Sequence, residues 1–138
     1  MALSTAIYTI LAADSNVSGA FSTRIYPAVA PMDVDMPCIV YEIGNIASIN
    51  TKDDVTVWDE ADCTVMVIAT KHSDCETYAG YVRTALDGYT GTVSTEKISE
   101  IIYNGQEPGY DTDEIYSSSP QGIAIFTRTL TFTIIRIA

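Results

Sequence analysis

Thr23-Arg24-Ile25-Tyr26-Pro27, then Ala30-Pro31, then Met36-Pro37-Cys38-Ile39-Val40-Tyr41-Glu42 is the stretch that decides the fold. Proline fixes its own φ and holds the residue before it in extended geometry. Tyr26 and Met36 are therefore extended. Two strand starts follow, each bracketed by proline, and the loop between them cannot be helical. The stretch carries no catalytic group.

Upstream, Leu3, Ile7, Ile10 and Leu11 recur on one face of a helix predicted from Leu3 to Ala13. Asp14-Ser15-Asn16 and Gly19 break that pattern. Downstream, residues 38–70 read as one long antiparallel hairpin. Its first strand begins at Cys38, Gly44 marks a possible bulge, and Asn50-Thr51-Lys52-Asp53-Asp54 is a turn cluster. The returning strand is polar near the turn and apolar on both sides farther in. That pattern predicts a tip that projects beyond the core.

Ser73-x-x-Glu76 has capping-box spacing and predicts a second helix over 73–87, stopped by Gly88. A strand is predicted over 92–103. Residues 104–122, with Gly105, Pro108, Gly109, Pro120 and Gly122, read as a long irregular loop. The last strand alternates plainly, with Phe126, Leu130, Phe132 and Ile134 against Thr127, Thr129, Thr131 and Thr133. The expected architecture is a single domain over 1–138. It is α+β, with a mixed, mainly antiparallel sheet, a long β-hairpin and two helices packed on one face.

Composition excludes several functions. Seven Lys+Arg against 18 Asp+Glu give a formal net charge of −11. A nucleic-acid binder needs a basic footprint to neutralise phosphates, and an anionic membrane surface needs the same. A channel that DNA crosses without adhering has the opposite requirement. No apolar run approaches the roughly 20 residues that span a bilayer, and the N-terminus has no basic leader. A cytoplasmic site of synthesis is expected.

Cys38, Cys63 and Cys75 make an odd count with no C-x-x-C pair, so neither a disulfide framework nor a zinc site is expected. His72 and Cys75 are the one candidate base and nucleophile, but no hydrolase signature surrounds them. Asp111-x-Asp113-Glu114 lacks the glycine and distal glutamate of a calcium loop, and a solvated acidic loop is the reading adopted. The residues singled out are for contact instead. Asp53, Asp54 and Trp58 lie at the hairpin tip. Glu107, Tyr110 and Asp111 lie in the acidic loop. Trp58 stands beside Asp59 and Glu60, as an interface anchor would.

The order of helix, Arg24-Ile25-Tyr26-Pro27 strand, Met36-Pro37-Cys38-Ile39-Val40-Tyr41 strand, long returning strand, second helix and late strand resembles the small tail-terminator proteins of long-tailed bacteriophages. These are also called tail-completion or head-to-tail joining proteins. The resemblance implies a structural virion protein with no catalytic residues, cofactor or metal. It implies a ring of identical subunits, usually six, that caps the head-proximal end of the tail and ends polymerisation of the tube. Its partners would be its own copies, the tail tube protein and the head connector or neck protein, with genomic DNA passing through the lumen. Its place would be the virion, and the host cytoplasm during assembly. The alternatives are another neck or head-completion protein and, from a different class, a small ligand-binding or enzymatic α+β domain. The latter needs a pocket of convergent polar groups, which the sequence does not display.

Overall fold

A computed structural model describes residues 3–22, 24–27, 37–49, 58–93, 96–111 and 125–137. The elements are α1 (Leu3–Ala13), α2 (Ser15–Phe21), β1 (Ile25–Pro27), β2 (Cys38–Ile49), β3 (Trp58–Ala69), α3 (His72–Leu86), β4 (Gly91–Val93), β5 (Glu96–Asp111) and β6 (Ile125–Ile137). The strands form one six-stranded sheet in the order β1-β2-β3-β6-β5-β4. Only β1 and β2 run parallel; the other neighbours are antiparallel.

The expected α+β class and the hairpin of β2 and β3 are both present. Cys38 pairs with Ile68 at the base and Ile49 with Trp58 at the outer end, with a register shift between Gly44 and Ala47. The alternation of β6 places Leu130, Phe132 and Ile134 in the core. The core joins them to Ile39 and Tyr41 of β2, to Cys63, Val65 and Val67 of β3 and to Ile98 and Ile101 of β5. Leu3, Ile7 and Leu11 of α1, Val17 and Phe21 of α2, and Cys75, Ala79, Val82 and Leu86 of α3 close over that one face. α1 touches both β1 and β4, the two outermost strands, so the sheet curls around the helical layer.

Four expectations need correcting. The described residues hold three helices, not two. Asp14 does not merely end α1; its Oδ1 accepts from the amides of Asn16 and Val17, both at 3.0 Å, and so caps α2. A side-chain acceptor satisfying two amide donors at a helix start is an N-cap. Ser73 does not cap α3. That helix begins at His72 after Lys71, which makes no side-chain cap bond, and Ser73 lies inside it.

The predicted strand over 92–103 is two strands, β4 and β5, paired Gly91 with Ile98 and Val93 with Glu96. Finally, residues 104–111 are not loop. β5 runs on to Asp111, paired with β6 throughout apart from two register shifts. Among the described residues β4 pairs only with residues 96–98 of β5, so Pro108 lies on the strand's edge, where proline is at home. Residues 112–122 of the predicted loop lie outside the described residues.

Arg24, from the opening stretch, is structural. Its Nε donates to the Pro37 carbonyl at 2.8 Å and its Nη2 to the Ala20 carbonyl at 3.3 Å. It thereby ties the end of α2 to the start of β2. Gly88 follows α3 at φ +76°, and its amide donates to the Ile101 carbonyl at 2.8 Å. The helix stop thus also docks the chain on β5.

Candidate functional site

Side chains of a strand alternate between faces, and directly paired residues share a face. The helices cover one face of the sheet. The other carries rows that register defines: Glu42–Thr64–Thr131–Gly105, Val40–Met66–Thr129–Glu107 and Cys38–Ile68–Thr127–Gly109. Nearer the hairpin tip come Gly44–Asp62–Thr133–Ile102 and Ala47–Glu60–Ile135–Glu100. Asn104 Nδ2 donates to Thr133 Oγ1 at 2.8 Å and locks β5 to β6 on this side. At the base, Cys38 and Ile68 are fully buried and pack with Tyr26, Val40 and Met66.

The charge on this open face is mainly acidic, with exposed Lys97 opposite Ile137 at the tip end as its cation among the described residues. Glu42, Glu60, Asp62, Glu100 and Glu107 are all exposed. The arginines are engaged elsewhere. Arg128 Nη2 meets Glu76 of α3 at 2.9 Å. Arg136 Nη2 meets Asp59 at 2.8 Å. The Arg83 guanidinium lies 4.0 Å over the Tyr103 ring, on the helical side. Arg24 holds backbone carbonyls. Folding turns the guanidinium groups of Arg83, Arg128 and Arg136 toward the helical side and leaves these five carboxylates on the other.

Among the described side chains, the cysteines are not set up as nucleophiles. Cys75 is buried, and its Sγ lies 3.5 Å from both the Val67 and Phe126 carbonyls. Burial pushes its thiol up to about 11, with the Arg128 charge opposing and Glu76 adding to the rise. Burial raises Cys38 to about 11 and Cys63 to about 12. A thiol held that far above neutrality is a poor nucleophile. Among the described residues, no group of three or more His, Cys, Asp or Glu side chains could hold a metal ion. A cleft of about 340 Å³ between α2 and α3 is lined by Ser15, Asn16, Gly19, Ala20, Tyr78 and Tyr81. Its lining has hydroxyls and an amide but no group able to act as general base near neutral pH. Among the described residues, no helix is long and apolar enough to cross a membrane.

The residues predicted for contact do not form one site. Asp53 and Asp54 lie outside the described residues. Trp58 opens β3, paired with Ile49 and Ile137. Glu107 is exposed on β5 opposite Thr129, while Tyr110 pairs with Phe126 and Asp111 with Ile125. Trp58 and the Glu107–Asp111 group thus stand at opposite ends of β6. Sequence reasoning missed Ile46 and Ile102, which are 51% and 38% exposed on β2 and β5. An isoleucine inside a strand pattern reads as core, and only the sheet order reveals that both strands are flanked by short partners.

Comparison with known proteins gives a consistent picture. Residues 5–122 match the family model described as Tail completion protein gp17. A chain of a solved structure titled "Virion of native gene transfer agent (GTA) particle" superposes with a TM-score of 0.66 at 17% identity, covering 98% of this chain and 95% of that one. At that identity the likeness is one of fold. Among curated proteins, none matches the chain significantly.

Proposed function

Because the chain belongs to the tail completion protein gp17 family of phage virion structural proteins, we propose that copies of it form a ring, of six subunits, at the head-proximal end of a phage tail. There the ring ends polymerisation of the tube and joins the tail to the head connector. It acts by contact and not by catalysis, and assembles in the host cytoplasm before becoming part of the virion.

The observation that carries this reading is the segregation of charge across the sheet. Five exposed carboxylates and a ladder of threonines occupy one face, and the guanidinium groups are engaged elsewhere. Such a wall repels phosphate over most of its length, with Lys97 as a lone cation at its tip end among the described residues. It suits a lumen through which DNA slides. The separation of Trp58 from Glu107, Tyr110 and Asp111 suits a subunit with two contact regions, one toward the turn end of the hairpin and one toward the end of β5. In this reading Asp53, Asp54 and Trp58 contact a neighbouring subunit or the tube. Glu107, Tyr110 and Asp111 contact the next partner along the axis.

The test is native mass measurement of the purified protein, followed by electron microscopy with purified tail tubes. Rings that sit at one end of the tubes are expected. A stable monomer that never attaches to tubes overturns the proposal. Attachment to DNA-filled heads but not to tubes assigns the chain to the neck instead.

A further inference from the structure

Among the described residues, the two ends of the sheet are covered only in part, and β1 pairs with Ile39, Val40 and Tyr41 of β2. From Glu42 to Ile49, β2 has a strand neighbour on one side only among the described residues. On the other edge, β4 pairs with residues 96–98 of β5, and Gly88 and Tyr89 exchange backbone hydrogen bonds with Ile101. From Ile102 to Asp111 β5 likewise has β6 as its one strand partner among the described residues. Unpaired strand edges are templates for another strand.

A second observation marks the same two stretches. Among the described residues the exposed large hydrophobics are Tyr8, Ile46 and Ile102. Ile46 lies on the uncovered part of β2 and Ile102 on the uncovered part of β5. Apolar side chains on an open edge become buried when a strand is added there.

We propose that these edges pair with each other between copies: residues 102–111 of β5 in one subunit with residues 42–49 of β2 in the next, making one sheet continuous across the interface. β2 and β5 run in opposite directions within the sheet, so a neighbour placed side by side presents an antiparallel partner. The contact is heterologous, with each copy using two different surfaces. Such contacts propagate into a closed ring or a helical filament.

The register also sets an offset. The uncovered part of β2 lies toward the hairpin tip, level with residues 97–105 of β5 by the cross-sheet rows. The uncovered part of β5 lies toward the base. Matching their centres displaces each copy by roughly 6 residues, about 20 Å at ~3.4 Å per residue. With β5 of one copy beside β2 of the next, the repeat is the four strands β2, β3, β6 and β5, which at ~4.8 Å span about 19 Å. That ratio is a strand tilt of roughly 46°, at the upper end of the tilt by which closed sheets stagger their strands. Pro108 removes one donor from the edge, and the shifts near Gly44 and Gly105 interrupt both strands. The edges are thus poor templates for indiscriminate pairing. With the centres matched, Glu42 and Glu107 lie about four residues, roughly 14 Å, apart across the junction, a repulsion felt at low salt and screened as salt rises.

Site-specific crosslinking tests this. Ile46 and Glu107 are exposed and separated by β3 and β6 within one chain. Ile46→Cys and Glu107→Cys are made singly and together in the full chain, and treated with a short bis-maleimide over a salt series. The native thiols are buried, and the unmodified protein controls for them. The double variant should give a ladder beyond dimers that lengthens with salt, and a mixture of the single variants should give heterodimers only. Dimers from either single variant alone, or no crosslink at any salt or protein concentration, overturn the proposal. It rests on the reading above only in expecting the chain of copies to close. A ladder without capped tubes leaves the edge pairing standing and removes the tail-end role. Capped tubes without the 46–107 crosslink do the reverse.

Discussion

Arg136 and Asp59 face each other directly across β6 and β3, and both guanidinium contacts, Nε at 3.2 Å and Nη2 at 2.8 Å, converge on one carboxylate oxygen. Their side chains are only 20% and 15% exposed. An ion pair this shielded leaves a costly orphan when one partner is removed. Asp59→Asn or Arg136→Met should therefore cost about 1–3 kcal/mol in urea unfolding. The double variant should cost less than the sum of the two. A loss under about 0.5 kcal/mol in both single variants, the size of an ordinary surface change, contradicts this.

The thiols predict a dependence on pH. Burial raises Cys38 and Cys75 to about 11 and Cys63 to about 12, from an ordinary 9.0. The folded chain holds these protons more tightly than the unfolded chain. Their contribution to stability is thus complete below about pH 9 and is lost as pH rises through the folded values. Melting temperature should be insensitive to the thiols at pH 7–8 and should fall above pH 9. A colorimetric thiol reagent should find no reactive group in the native protein at pH 8 and all three in guanidinium. Rapid native labelling of any of them would show a thiol accessible in the folded state.

Gly109 pairs with Thr127, and a Cβ built on Gly109 would sit 2.6 Å from Thr127 Oγ1. Gly109→Ala should destabilise by about 1–2 kcal/mol through overpacking. Adding Thr127→Ala removes the obstructing hydroxyl and should recover most of that loss. If the second change deepens the defect, close approach is not the reason glycine stands there.

At the hairpin turn, Asp53→Lys with Asp54→Lys should weaken assembly on tail tubes while shifting stability by no more than about 0.5 kcal/mol, as surface changes do. Calorimetry beside a tube-binding assay separates the two effects. A large fall in melting temperature would place these carboxylates in the fold of the subunit itself.

The protein should not bind duplex DNA at physiological salt. Its formal net charge is −11, and four of its seven basic residues are arginines occupied within the chain. Phosphate-driven binding needs several cations aligned on one surface. Fluorescence anisotropy over a salt series checks this. Micromolar affinity that decays steeply with salt would overturn the charge layout inferred for the open face.

The parts of the fold legible in the sequence are those in which periodicity and burial agree. The threonine alternation of β6, the paired runs of β2 and β3 and the Gly88 stop of α3 all belong here. Two failures share one cause, which is that a residue type carries two meanings. Asp14-Ser15-Asn16 is turn chemistry, yet aspartate before a helix is also an N-cap, and only the amides of Asn16 and Val17 decide between them. Gly105, Pro108 and Gly109 are loop chemistry, yet an edge strand accepts them because its outer side needs no partner. Of the contact residues, the acidic character was readable and the geometry was not. Whether a carboxylate is exposed or paired depends on where Arg128 and Arg136 point, and their partners Glu76 and Asp59 lie 52 and 77 positions away.

The order of synthesis meets the order of the sheet at β6. That strand is made after the other five, yet it lies between β3 and β5 and shares a long ladder with each. A nascent chain that has reached β5 holds two separate groups of strands, β1-β2-β3 and β5-β4, with a gap at the centre. Residues 125–137 close the gap like a keystone. A product truncated before them cannot be a slightly damaged subunit, because its sheet is in two pieces. Translation errors thus yield species with no finished surface to offer, and an assembly built from identical copies is spared the near-correct ones.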